Sequence, residues 1–138
     1  MQEEFRLELP SEPLFVGVAR LAVANIANKA ALPEEDVEDI KVCLSEACNT
    51  IIQHPAREKG DTIGIACAIT NDGLSVKVSC KSHVLEKKHW EKHHEMGKTL
   101  VETLMDDVRY EKYMNGNSSI EMTKYFPIND DEYLRYPN

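Results

Sequence analysis

The sequence predicts an α+β two-layer sandwich, with helices on one face of a mixed or antiparallel sheet. Three observations carry this expectation. Segments follow one another in the order β-α-α-β-β-loop-α-β-β. The later strands pair as hairpins: Thr62–Thr70 and Leu74–Cys80 flank Asn71-Asp72-Gly73, and Val108–Tyr113 and Ile120–Phe126 flank Asn115-Gly116-Asn117. Asp-Gly and Asn-Gly turns between β-branched runs close hairpins rather than βαβ crossovers. Finally, two long stretches before the first hairpin carry apolar residues at helical spacing, and such faces need a sheet to cover.

Each element has its own reason. Residues 3 to 9 alternate charged and apolar side chains, the period of a half-buried strand. Pro10-Ser11-Glu12-Pro13 breaks it and offers Ser11 as an N-cap. From Leu14 to about Ala30, Val18, Leu21, Ala22, Ile26 and Ala27 predict a helix. Leu32-Pro33-Glu34-Glu35-Asp36 starts a second one, because proline suits the first turn and acids meet the positive end of the helix dipole. Val37, Ile40, Leu44, Ala47, Cys48 and Ile51 line its apolar face, and Pro55 stops it. Lys59-Gly60-Asp61 makes a turn into the first hairpin. Lys98 to Met105 reads as a third helix, with Leu100, Val101, Leu104 and Met105 apolar.

At 138 residues the chain has the size of one domain, expected over residues 1–138 with a flexible tail from Asn129. It is long enough to bury a core without covalent staples. No apolar run approaches the roughly 20 residues of a membrane span, and the N-terminal stretch lacks a signal-peptide core. A cytoplasmic protein is the expectation. Cys43, Cys48, Cys67 and Cys80 show no Cys-x-x-Cys spacing and read as buried thiols. The formal net charge of -8 argues against general nucleic-acid binding, which needs a basic footprint. His83, His89, His93 and His94 fall in a polar segment with Lys87, Lys88 and Lys92. His89 and His93 would align on a helix, yet no third ligand follows at an obvious spacing, so no metal is expected. The segment reads as a solvated basic surface that titrates near neutrality.

Four stretches, in order, resemble a known family. They are Phe15-Val16-Gly17-Val18-Ala19-Arg20-Leu21, Asp39 to Ala47, Glu102 to Val108, and Met122-Thr123-Lys124-Tyr125. Together they resemble the RsbW-like anti-sigma factors, serine-protein kinases of the GHKL (histidine-kinase-like) ATPase superfamily. The resemblance covers about Phe5 to Phe126. It implies the Bergerat-type ATPase fold, a homodimer, and partners of the sigma-factor or STAS-domain anti-anti-sigma kind.

The family's site residues match this chain only in part. Glu46 stands where the family has its general base. The Mg2+-holding asparagine, four residues on, falls on Thr50, while Asn49 is one residue early and about 100° away around a helix. The adenine-reading Asp-x-Gly falls on Cys80-Lys81-Ser82, a thiol in place of a carboxylate. The Gly-x-Gly phosphate loop reads Glu95-Met96-Gly97, with Lys98 and Thr99 following. The threonine that supports the adenine aspartate falls on Ser118. The stretch between Ser82 and Gly97 is shorter than the family's ATP lid.

Arg20 matches an arginine that the family uses to contact protein partners. The resemblance therefore implies a regulator that binds a sigma factor or a STAS-type protein at Arg20, with weak or lost ATP binding and no cofactor. The alternative is an active serine-protein kinase using Glu46 as base with ATP and Mg2+.

Overall fold

In a computed structural model of the chain, described over residues 3–55, 57–80, 95–113 and 117–127, five strands form one sheet with three helices on one face. The elements are β1 (Glu3–Pro10), a 3-10 turn (Pro13–Phe15), α1 (Val16–Lys29), α2 (Glu34–Ile52), β2 (Thr62–Ile69), β3 (Gly73–Cys80), α3 (Glu95–Leu104), β4 (Asp107–Lys112) and β5 (Ser118–Tyr125). The strand order is β1-β2-β3-β5-β4. Every pairing among these strands is antiparallel, which resolves the expectation of a mixed or antiparallel sheet. The α+β class is the one the hairpin signals predicted.

Alternation decides which face is covered. Phe5, Leu7 and Leu9 of β1, Ile63, Ile65 and Cys67 of β2, Leu74, Val76, Val78 and Cys80 of β3, and Ile120 and Met122 of β5 point to the helices and join the core. Glu4, Arg6, Glu8, Ser75, Lys77 and Glu121 face the other way and line an open trough about 650 Å³ in volume. An antiparallel sheet tolerates such a solvated face.

The second helix follows its sequence pattern closely. Val37, Ile40, Leu44, Ala47, Cys48 and Ile51 are all buried, and Glu34, Glu35 and Asp36 occupy its first turn. The first helix departs from its pattern. Its buried side is Val16, Ala19, Val23 and Ala27, so Val18 and Leu21, expected on the core face, stand outside. Apolar residues surround this helix, and periodicity alone could not choose between two stripes. Ser11 is not a helix cap either. The residue before the 3-10 turn is Glu12, and the Ser11 hydroxyl is buried with no hydrogen-bond partner among the described residues. Its backbone is held instead, the N–H donating to Asp61 O and the carbonyl accepting from Arg57 Nη1.

The end of α1 carries a testable strain. Ala31 adopts φ 62°, the left-handed region that favours glycine. Its N–H donates to Asn28 O, and the next N–H, of Leu32, donates to Ala27 O. This is the Schellman arrangement, with an alanine where glycine is the usual occupant and with Leu32 buried beside it. Ala31→Gly is expected to raise stability by about 1 kcal/mol, read as a higher urea midpoint with an unchanged m-value.

One cation ties the helices to the sheet at one end of the sandwich. The Lys124 amine, on the inner side of β5, lies 3.3 Å from Asp39 Oδ2 and 3.8 Å from Asp36 Oδ1, both near the start of α2. It also donates to Leu104 O at the end of α3. One cation thus fastens the N-terminal end of α2 and the C-terminal end of α3 to the same point of the sheet. At the opposite end, Cys48 of α2 meets Ile63 and Ile65 around a small gap. The two helices therefore run antiparallel above the sheet.

Candidate functional site

That orientation brings the ATPase-type positions to one end of the molecule. The second half of α2 carries Glu46, Asn49 and Thr50. The C-terminal residue of β3 is Cys80, whose cross-strand partner is Ser118, the first residue of β5. Gly97, Lys98 and Thr99 lie near the start of α3, away from the Lys124 fastening. Topology thus gathers Glu46, Asn49, Thr50, Cys80, Ser118 and Gly97 at one end although 72 positions separate Glu46 from Ser118 in the chain.

The chemistry at these positions is specific. Thr50 is fully buried, and its hydroxyl donates to Glu46 O, one turn back, at 2.8 Å. A threonine bonded this way has its proton committed to the helix backbone. Asn49 is half-buried, turned from Thr50 by one helical step. Cys80 and Ser118 are both buried. The helix expected from Lys98 starts three residues earlier, at Glu95, where an acid favours the first turn. Gly97 therefore lies inside the helix rather than in a loop before it, and is buried. Lys98 reaches along the helix to Glu102 Oε2 at 3.0 Å, while Thr99 is exposed. The expected shortened lid, the histidine segment 83–94 and the tail from Asn129 lie outside the described residues. Among the described residues no group of three or more His, Cys, Asp or Glu side chains is placed to hold a metal ion.

A second feature lies on the outside, between α1 and α2. Gly17, Arg20, Leu21, Glu38, Lys41, Val42, Ser45 and Glu46 line a groove of about 530 Å³. Arg20 donates from Nη1 to Ser45 Oγ at a long 3.4 Å, and Ser45 in turn donates to Lys41 O at 3.0 Å. Among the described residues Arg20 has no carboxylate partner. The groove's other cation, Lys41, is paired with Glu38 at 3.1 Å. Glu46 and Arg20 thus line one groove.

The resemblance singles out Arg20 but not the exposed apolar side chains around it. Leu14 is 79% exposed, Leu21 73%, Val18 47% and Val42 40%. The available signal was the excess of apolar residues on α1 over what one helix face can bury. Gly17 belongs to the same surface. A Cβ built there would meet only Arg20 Nη2, at 4.0 Å. Glycine inside a helix costs about 1 kcal/mol relative to alanine, and nothing within the described fold requires it.

An antiparallel five-stranded sheet under three helices, in this strand order, is the fold of the histidine kinase-like ATPases. The family profile of the Histidine kinase-like ATPase domain matches residues 9–124. The serine-protein kinase RsbW of Listeria monocytogenes serovar 1/2a is 34% identical over 141 residues, covering 91% of this chain and 88% of the relative. The serine-protein kinase RsbW of Bacillus cereus is 26% identical, covering 89% and 85%. The chain belongs to the histidine kinase-like ATPase family and is one of its RsbW-like members.

Solved structures agree on the fold. The RsbU and RsbW domains of Rv1364c from Mycobacterium tuberculosis superpose with a TM-score of 0.70 at 14% identity, over 91% of this chain and 33% of that longer one. The SiaB–SiaC complex from Pseudomonas aeruginosa contains a chain that superposes with a TM-score of 0.66 at 10% identity, over 86% and 88%. No helix among the described residues is long and apolar enough to cross a membrane.

Proposed function

We propose that this chain is a regulatory protein that works by binding, holding a sigma factor or a STAS-type anti-anti-sigma protein on the α1/α2 groove around Arg20, with ATP·Mg2+ binding weak or lost. The observation that carries the reading is the contrast between the two ends of its equipment. At the groove, an exposed guanidinium stands among apolar side chains without a carboxylate partner among the described residues. Such a group pairs bidentately with a carboxylate from outside. At the nucleotide positions, the groups that would hold purine and cation are replaced.

A thiol at Cys80 is a poor acceptor for an adenine amino group. A lost hydrogen bond of this kind weakens binding by about tenfold or more. Thr50, at the metal position, has its hydroxyl proton committed to Glu46 O. Glu95 adds a negative charge beside any phosphate at the start of α3. The residues present therefore fit ATP·Mg2+ poorly, and calorimetry at millimolar ATP and Mg2+ is expected to give a dissociation constant above about 100 μM. Micromolar affinity would overturn this half of the reading.

The second reading, an active serine-protein kinase, is favoured by the name its relatives carry and by Glu46 on the rim of the partner groove. In that reading Glu46 would accept the proton of an incoming serine hydroxyl, with ATP as the phosphoryl donor leaving as ADP and Mg2+, when bound, offsetting the phosphate charge. Phosphoryl transfer depends on positioning and charge neutralisation, so losing several positioning groups together is severe. Transfer of radiolabelled phosphate to a STAS-domain serine, abolished by Glu46→Ala, would establish the kinase.

A further inference from the structure

We infer that the free edge of β1 receives β1 of a second copy of this chain, antiparallel and centred on Leu7, so that two five-stranded sheets join into one. β1 ends the strand order, and among the described residues its outer edge pairs with no strand. It is eight residues long and unbroken, with each residue from Glu3 to Pro10 facing one residue of β2 and no bulge between them. Such an edge is a template for another strand unless a bulge, a lysine or an inward charge blunts it. The opposite edge, β4, has such a device: Lys112 shares the parity of Val108 and Tyr110, which pack on the core. β1 has none. Its inward row is Phe5, Leu7 and Leu9, and its one proline, Pro10, closes the strand. That row is half-buried, whereas Ile63, Ile65 and Cys67 on the next strand are buried. A strand laid along β1 covers what the row leaves open.

The charges of β1 select the occupant and the register. Its outward row reads Glu4, Arg6, Glu8, alternating in sign and exposed. Like charges directly opposite each other destabilise a strand pair, and opposite charges support it. Pairing centred on Arg6 would set Arg6 against Arg6 and Glu4 against Glu8. Pairing centred on Phe5 would put the Glu3 carboxylate against Leu7 on the apolar side. Pairing centred on Leu7 avoids both conflicts. It sets Arg6 against the partner's Glu8 on the outside, twice by symmetry, and Phe5 against the partner's Leu9 and Leu7 against the partner's Leu7 on the inside. It also leaves Pro10, which has no N–H to donate, at the end of the ladder. The Arg6 side chain is 80% exposed and bonds Glu4 of its own strand at 2.7 Å, so it has donors left for a carboxylate across the edge. Glu8 is steadied by Thr62, whose hydroxyl donates to Oε1 at 2.9 Å. Main-chain hydrogen bonds hold an added strand, and side-chain pairs fix its register. None of these residues lines the α1/α2 groove, so the inference stands apart from the docking reading.

Sedimentation of the full chain at about 100 μM is expected to give a dimer, and Arg6→Glu is expected to weaken it at least about tenfold. Arg6→Glu with Glu8→Arg is expected to restore wild-type dimerisation, because the Leu7-centred register exchanges exactly these two charges across the edge. Melting curves on each variant confirm that it is folded. The four native thiols are buried, so an introduced cysteine reports alone. Leu7→Cys is expected to form an intermolecular disulfide under diamide, since facing Cα atoms in an antiparallel pair lie about 4.5–5.5 Å apart, within the span of a disulfide. Arg6→Cys, which faces Glu8 rather than itself, is expected not to.

A monomeric wild type overturns the inference. So does a double variant no more dimeric than Arg6→Glu, or a disulfide that forms in Arg6→Cys and not in Leu7→Cys. A dimer that survives Arg6→Glu and is broken by Ser79→Arg, in the outer trough, packs sheet face against sheet face, and that result overturns it as well.

Discussion

Between pH 9 and pH 11 the protein is expected to lose most of its stability through its thiols. Cys43, Cys48 and Cys67 are almost fully shielded from solvent. Burial pushes each of them up from the ordinary 9.0 to about 12, and at Cys43 the nearby Asp39 carboxylate adds to the effect. A raised folded-state value means the native protein keeps its thiol protons where the unfolded chain has released them. The stabilisation is therefore complete below pH 9 and drains away as the pH rises from 9 towards 12.

Each thiol costs on the order of 1 kcal/mol per pH unit in that window, so three together come to a few kcal/mol per unit, against a total stability of about 5–15 kcal/mol for a domain of this kind. Urea titrations at pH 8, 9, 10 and 11 measure the slope. Other groups also titrate there, so the comparison is with Cys67→Ala. That variant starts less stable because it leaves a small cavity, but its stability should fall with a slope smaller by one thiol's share, on the order of 1 kcal/mol per pH unit. An unchanged slope would show that the buried thiols do not govern alkaline unfolding.

Gly73→Ala is the second large effect. Gly73 opens β3 and pairs with Tyr125 of β5. A Cβ at this position would stand within van der Waals overlap of Lys124 O and 2.8 Å from Tyr125 Cα. Both are backbone atoms of a neighbouring strand, so no side chain can rotate away. The β3–β5 pair has to shift, and β5 carries Lys124, whose amine holds α2 and α3 together. Overpacking against backbone at the centre of a sheet is expected to cost about 3 kcal/mol, read as a lower midpoint in urea or heat. A loss under about 0.5 kcal/mol would mean the strand end relaxes freely. Gly64→Ala is the control: its Cβ would meet only the Ser79 side chain, at 3.5 Å or more, an ordinary contact.

Much of the fold was legible because local signals agreed. In α2 the proline and the acidic first turn named the start, and six apolar positions named the face that is buried. The hairpin β2–β3 closed where Asn71-Asp72-Gly73 indicated, with Thr70 Oγ1 accepting from the Asp72 and Gly73 N–H groups. Signals that depend on a neighbour were not legible. Ser11 has the type of a cap but lies before a chain segment that enters the 3-10 turn at Glu12, so its hydroxyl is buried without capping the helix. The start of α3 at Glu95 followed an acid that the sequence reading assigned to a phosphate loop.

The candidate site divides the same way. The expectation that Thr50, Cys80 and Ser118 stand at the family's site positions comes from their order in the chain. That they gather at one end does not, because it follows from how Lys124 fixes the opposite ends of α2 and α3. The sequence by itself determined the strand and helix order and the family, since these follow from local pattern and residue type. Only the tertiary structure decided which of two apolar stripes on α1 was left to solvent. Periodicity says that a helix has an apolar side; which side is covered depends on what packs against it.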